Sequence, residues 1–236
     1  MKINVKRSCK RGCTLLFLLL VAPNAFAQDR HARLTLFGGG SFVQGNRTFV
    51  VNFDPLRSEF VAGGKFGLRG TVDLTDHWAV EAAYSFGRNN LRITELDEVP
   101  PEERGFGLRI HQFTGNLLYF LNTPEERFRP FVTAGLGVTN YNPTSRAKVI
   151  AATMDFIDES ALLRSSNKFA FSLGVGLEAI VTERLGVRLD FRDHITKIPR
   201  FGVPAAPPGS GVDFFPVGGS IHSFETSVGI VIYFQP

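Results

Sequence analysis

Cysteine is nearly absent. The 236 residues hold two, Cys9 and Cys13, and both fall within the first 27. Acidic residues are also missing from that stretch. It carries Lys2, Lys6, Arg7, Lys10 and Arg11, then the apolar run Thr14 to Ala22, then the small-residue pair Ala25 and Ala27 around Phe26. A basic head, a short apolar middle and an Ala-x-Ala end make a secretory signal, with cleavage expected before Gln28. The apolar run is about 9 residues, short of the roughly 20 a spanning helix needs, which argues against an anchor. The expected division is therefore a signal peptide, 1–27, and one β domain, 28–236. Both cysteines precede the apolar run, so they leave with the signal, and a lipid-modified cysteine would have to follow it. The remaining chain then offers no disulfide and no thiolate chemistry.

The apparent basicity goes with the signal. Of 26 Lys and Arg, five lie in residues 1–27, leaving 21 against 22 Asp and Glu, a formal charge of −1. That balance gives no electrostatic reason for a nucleic-acid partner. Long apolar runs are absent after residue 27, so a membrane span would have to be built from strands.

What the chain does have is alternation. Eight segments read as strands, roughly 31–43, 61–74, 78–88, 107–121, 129–141, 168–181, 185–194 and 222–234. Side chains in a strand alternate between faces. Trp78, Val80, Ala82, Tyr84 and Phe86 share one face, against Glu81, Ala83, Ser85 and Gly87. Phe169, Phe171, Leu173, Val175, Leu177 and Ala179 oppose Lys168, Ala170, Ser172, Gly174, Gly176 and Glu178. Leu185, Val187, Leu189 and Phe191 oppose Gly186, Arg188, Asp190 and Arg192, and the last strand sets Phe224, Val228, Ile230, Ile232 and Phe234 on one face. Most segments are longer than the five or six residues common in soluble sheets and suit a tilted membrane strand of about 9–11. Connections alternate short (75–77, 122–127, 182–184) and long (44–60, 89–106, 142–167, 195–221). An even-numbered membrane barrel has this pattern, with short turns on the periplasmic side and long loops outside.

Alternation by itself fits two barrels of opposite polarity: a soluble lipocalin-like one, apolar inside, or a membrane one, polar inside. Three features favour the second. The polar face is crowded with Gly, Ala and Ser, which suits a narrow interior. It carries charges of both signs, Lys65, Arg69, Glu81, Arg109, Glu178, Arg188, Asp190, Arg192 and Glu225, which can pair within a plugged lumen. Arg109 shares its parity with His111 and Phe113. Aromatics gather near strand ends, Trp78, Phe86, Tyr119, Phe131, Tyr141, Phe169, Phe191, Phe224 and Phe234, as in the girdles of membrane barrels. The expected fold is all-β: an eight-stranded antiparallel up-and-down transmembrane barrel.

The segments Arg129-Pro-Phe-Val-Thr-Ala-Gly-Leu-Gly137, Phe171-Ser-Leu-Gly-Val-Gly-Leu-Glu178, Leu185-Gly-Val-Arg-Leu-Asp-Phe-Arg192 and the closing strand resemble the eight-stranded outer-membrane protein β-barrel superfamily, the group around the OmpA transmembrane domain, OmpX, OmpW and the Opa-type adhesins. The resemblance covers about 31–234. It implies a bacterial outer-membrane location, contact with outer-membrane lipid and lipopolysaccharide, and delivery by the barrel-assembly machinery through the C-terminal strand. In the family the final aromatic usually ends the chain, whereas Gln235 and Pro236 follow Phe234 here, and no peptidoglycan-binding domain is expected after the barrel.

Chemistry-bearing patterns are sparse. His31, His77, His111, His194 and His222 lack metal-ligand spacing, and no nucleophile elbow, H-E-x-x-H or phosphate loop occurs. Some barrels of this family deacylate lipid A with His, Ser and Glu, but His222 and Ser223 are adjacent and point to opposite faces of a strand. His194 and His222 are candidates to approach at the outer rim. No catalytic residue, cofactor or metal is expected. The loops are the remaining surface: acidic 95–103 around Pro100-Pro101, apolar 142–167, suited to a short helix or strand extension over the mouth or to a partner, and proline-rich 195–221. The expected role is non-enzymatic: envelope integrity or surface recognition through the loops. A narrow conduit for small or hydrophobic solutes, OmpW-like, is the alternative. A lipid-modifying enzyme and a soluble lipocalin-like binder follow. An apolar inner patch near the mouth would support the conduit, and an unbroken charged interior opposes it.

Overall fold

A computed structural model describes residues 32–44, 47–51, 54–95, 103–152, 164–199, 201 and 219–234. The signal segment, His31, the acidic 96–102, residues 153–163 of the apolar stretch, residues 200 and 202–218 of the proline-rich one, and Gln235-Pro236 lie outside the described residues.

Among the described residues nine strands and one helix follow in order: β1 Ala32–Gln44, β2 Arg47–Val51, β3 Asp54–Asp73, β4 Trp78–Glu95, β5 Glu103–Phe120, β6 Phe128–Pro143, α1 Ser145–Ala152, β7 Ser166–Ile180, β8 Leu185–Lys197 and β9 Ser220–Phe234. Every neighbouring pair is antiparallel, and β1 pairs with both β9 and β3, which closes the ladder. The cylinder therefore has eight walls, β1 and β3–β9. The ninth strand, β2, pairs only with the outer part of β3 in a hairpin, Arg47↔Ser58 to Val51↔Asp54, inside the stretch 44–60 that reads as a loop in the sequence. Closure leaves no barrel edge unpaired, which a membrane-spanning sheet requires because lipid cannot hydrogen-bond to an exposed edge.

The strands run further than alternation suggests. β3 has 20 residues and β4 and β5 have 18 each, all extended at the long-loop end. The polar tips 88–95 and 103–107 still pair through the ladder Thr94↔Glu103 to Arg88↔Arg109. Backbone pairing continues there because water replaces lipid and no alternation is demanded. β3 carries one bulge, between Val61 and Gly64.

Two of the three short turns share one device. In 74–77 the Thr75 hydroxyl accepts the Trp78 amide at 3.0 Å, and in 181–184 the Thr182 hydroxyl accepts the Leu185 amide at 3.0 Å. A threonine at the second turn position thus satisfies a strand-end donor locally. At the other end, Thr144 caps α1: its hydroxyl accepts the Ala147 amide at 3.3 Å and its carbonyl the Lys148 amide at 3.1 Å. Ser145–Ala152 contains no glycine or proline, so the turn propagates as a helix, and Ala147 is buried.

Polarity is the reverse of a soluble barrel. The buried set is rich in Arg, Glu, Asp, Asn, Gln, Ser and Thr, while Leu36, Phe66, Phe113, Leu136, Phe169, Val175, Leu189, Val228 and Ile230 are exposed on the outer face. No described helix is long and apolar enough to cross a membrane, and the strands supply the apolar band instead.

Candidate functional site: a lumen bridged by ion pairs

The inward face of each strand contributes to one continuous polar interior. Around the ring the walls run β1, β9, β8, β7, β6, β5, β4, β3, so β8 and β4 stand opposite each other. Arg188 Nη2 and Arg192 Nη1 on β8 reach the two carboxylate oxygens of Glu81 on β4, at 2.9 and 2.8 Å. These ion pairs cross the full diameter.

Asp190, between them on β8, accepts from three guanidinium groups: Arg188 Nε at 3.0 Å, Arg192 Nη2 at 2.8 Å and Arg69 Nη1 at 2.9 Å. Arg69 on β3 also holds Glu225 on β9 at 2.5 Å, and Asn116 donates to Glu81 at 3.0 Å. Toward the long-loop end Lys65 pairs with the same Glu225 at 2.5 Å and donates to Gln112 Oε1 at 2.7 Å, and Gln112 in turn donates to Thr139 at 3.2 Å. His194 Nε2 lies 3.4 Å from Glu225.

A second cluster closes the short-turn end. Arg33 reaches Asp73 at 2.7 Å and Glu178 at 3.2 Å, Arg129 lies 3.7 and 3.9 Å from the same two carboxylates, and the Tyr233 hydroxyl donates to Glu178 at 3.0 Å. Rings complete it, with the Arg129 guanidinium 4.0 Å from the Phe120 centroid and that of Arg188 4.4 Å from Phe131. Buried charge is tolerable only when paired and hydrogen-bonded. Six cations (Arg33, Lys65, Arg69, Arg129, Arg188, Arg192) meet five carboxylates (Asp73, Glu81, Glu178, Asp190, Glu225).

Eight of the nine lumen charges read from sequence sit inside: Lys65, Arg69, Glu81, Glu178, Arg188, Asp190, Arg192 and Glu225. Arg109 does not. It is exposed on the outer face of β5 because the inward positions there are Leu108, Ile110, Gln112 and Thr114, and Arg109 alternates with them.

Of the nine aromatics, Trp78, Phe86, Tyr119, Phe169, Phe191, Phe224 and Phe234 lie on the outer face. Trp78 meets Tyr119 at 4.9 Å, and Phe191 stacks on Phe224 at 6.0 Å. Phe131 and Tyr141 are corrections. They are 2% and 3% exposed on the inner face of β6. Phe131 fills the space over Gly176, where an added Cβ would lie 2.2 Å from its ring, and the Tyr141 hydroxyl meets Thr196 at 2.8 Å across the mouth.

Sequence reading missed Arg33, Asp73 and Arg129. Each shares parity with an inward neighbour (Thr35, Thr71, Phe131), which is the signal that finds them.

The histidines do not converge. His194 points inward, whereas His222 is on the outer face with its Nδ1 2.6 Å from Asp193. Ser223 and Glu225 face the lumen, Ser223 beside Ser41 at 3.3 Å, so no His-Ser-Glu set forms. Among the described residues no group of three His, Cys, Asp or Glu is placed to hold a metal ion.

Above the charges the inner face turns apolar. Val43, Leu108, Ile110 and Ile221 are buried near the long-loop end, with Phe201 and Ala147 packed there as well.

A closed eight-walled cylinder, apolar outside and ion-paired within, defines an integral β-barrel membrane protein. The model of the outer membrane protein beta-barrel domain family matches residues 13–227, and the chain belongs to that family. Among solved structures it is similar to OprG of Pseudomonas aeruginosa (16% identity, 87% of this chain and 97% of that one, TM-score 0.49). It is also similar to Neisserial surface protein A (10%, 87% and 97%, TM-score 0.47) and to AlkL determined in lipid bilayers (14%, 100% and 98%, TM-score 0.48). No match is found among curated proteins.

Proposed function

We propose that this protein resides in the bacterial outer membrane as a plugged barrel and acts without catalysis, in envelope integrity or surface recognition, through its extracellular loops. The observation that carries this reading is the bridging of the lumen from β8 to β4 by Arg188, Arg192 and Glu81. An eight-stranded barrel has an interior about filled by side chains, and here the filling is locked by opposite charges. Opening a path would strip paired ions of their partners. The test is conductance of the purified barrel in planar bilayers. The expected result is no stable current, and discrete openings by the unmodified protein would sink the plug.

The apolar lining at the mouth favours a second reading, a conduit for small hydrophobic molecules. Its support is Val43, Leu108, Ile110 and Ile221, and the charged interior beneath opposes it. Uptake of a small hydrocarbon by cells with and without the protein separates the two: equal uptake leaves the plugged barrel, and faster uptake favours the conduit.

A further inference from the structure

Among the described residues one histidine faces the lumen. His194 is 3% exposed on the inner face of β8, and neither of its ring nitrogens has a hydrogen-bond partner. Buried polar side chains nearly always have one. Its surroundings offer a group on each side. Nε2 lies 3.4 Å from Oε2 of Glu225 on β9. Toward β7, Ser172 is its direct cross-strand partner, faces the same interior and carries a buried hydroxyl with no partner of its own. A hydroxyl serves either protonation state of the ring, because it donates to a bare nitrogen and accepts from an N–H. A carboxylate favours the charged ring.

That carboxylate is already in use. Glu225 Oε2 also holds the Lys65 ammonium of β3 at 2.5 Å, and Oε1 holds Arg69 at 2.5 Å. Lys65 and His194 thus meet on one oxygen, and at 3.4 Å the histidine is the more distant of the two. A charge-assisted N–H···O bond closes to about 2.7–2.9 Å. Three other charged or titratable groups stand near the ring. Arg192, two positions along β8, is committed to Glu81 and Asp190. The Tyr141 hydroxyl of β6 meets Thr196 at 2.8 Å. Half-buried Lys168 lies on β7, two inward positions nearer the mouth than Ser172. Among the described residues Glu225 is therefore the carboxylate within ion-pair reach of His194.

We propose that His194 is an acid-operated switch on the outer part of the plug. Neutral, it leaves Glu225 to Lys65. Protonated from the medium at the long-loop end, its Nε2–H takes Oε2 of Glu225, its Nδ1–H donates to Ser172, and Lys65 is displaced. Lys65 is also the donor to Gln112, which donates in turn to Thr139, so its departure undoes the polar chain across the outer lumen. The six buried cations become seven against five carboxylates, which further loosens this part of the interior. The bridge from Arg188 and Arg192 to Glu81 and the Arg33–Asp73 pair do not use Glu225, so the deeper lumen stays closed. This inference rests on the plugged-barrel reading and adds its regulation.

The test follows the histidine ring nitrogens and the lysine Nζ atoms of the 15N-labelled barrel by NMR in lipid bilayers. The titration runs from about pH 8 to about pH 3.5, a window that brackets the ordinary histidine value near 6.5. His194→Gln and Lys65→Arg identify the two signals by their loss. The expected result is that the His194 ring becomes imidazolium and the Lys65 signal shifts with the same midpoint, as two coupled groups do. In His194→Gln the Lys65 shift is lost. Slower migration after boiling confirms that each variant is folded, and His194→Asn serves in the same way if the glutamine variant does not fold. A ring that stays neutral throughout would overturn the proposal, as would protonation that leaves the Lys65 signal in place. A Lys65 shift that persists in the folded His194→Gln barrel would also overturn it, by assigning the event to Glu225. Current through the barrel at neutral pH would sink the plug instead, and it is read in a separate measurement.

Discussion

The guanidinium of Arg69 lies 3.6 Å from the centroid of the Phe37 ring, while its two amino groups bind Asp190 and Glu225. One side chain thus joins a ring from β1 to carboxylates from β8 and β9. Phe37→Leu keeps most of the apolar volume and removes the π face, for an expected cost of about 1–2 kcal/mol. Phe37→Ala adds a void, for about 3–5 kcal/mol. Urea unfolding in lipid vesicles checks both, and a Phe37→Leu variant as stable as the parent would show that only volume matters.

Asp190 answers three arginines. Asp190→Asn keeps the shape and removes the charge, leaving six buried cations against four carboxylates instead of five. Breaking a buried ion network from one side costs about 3–5 kcal/mol. The same unfolding measurement reads it, and a loss below about 1 kcal/mol would mean that water enters and solvates the arginines.

Glycines separate the two faces. A Cβ at Gly137 would lie 2.0 Å from the Phe113 carbonyl oxygen and 2.7 Å from Thr114, whereas one at Gly115 meets nothing within 4 Å. Gly137→Ala should therefore cost about 1–3 kcal/mol by overpacking and lower the refolded fraction. Gly115→Ala should fold as the parent does.

The lipid face makes an opposite prediction for charge. Leu136 is 54% exposed in the middle of β6. Leu136→Arg should cost about 2–4 kcal/mol at the bilayer midplane. Arg109→Ala, exposed on the outer face of β5 toward the long-loop end, should change stability by no more than about 0.5 kcal/mol.

Closure itself has a simple readout. β1 is paired on both sides over most of its length, from Ala32↔Val72 and Ala32↔Phe234 to Ser41↔Gly63 and Ser41↔Glu225. An unboiled sample from outer-membrane fractions should run faster on a detergent gel than a boiled one. Identical migration would mean that the cylinder opens in detergent.

Much of the architecture is legible in the sequence because a membrane barrel imposes a period of two on every wall. The faces of β4, β7 and β8 follow from alternation alone, down to Arg188, Asp190 and Arg192 on one side of β8. Legibility fails where that constraint relaxes. Beyond the band water accepts polar side chains on the outer face, so the tips of β3, β4 and β5 and the hairpin strand β2 do not carry the apolar-outward alternation of the walls. It fails as well where a residue is read by type instead of parity. Phe131 and Tyr141 look like girdle residues, and Arg109 looks like a lumen charge, until the alternation of β6 and β5 is followed residue by residue.

Local sequence is enough to establish that the chain builds strands, that eight of them have an apolar and a polar face, and that charges of both signs lie on the polar one. These are local properties, written in the period of side chains along each strand. Which charges meet was decided only by the closed cylinder. Arg188 and Glu81 are far apart along the chain, and they touch because β8 and β4 come to rest on opposite sides of a lumen narrow enough for two side chains to span. Ring closure and strand stagger set that distance, and no single strand carries them.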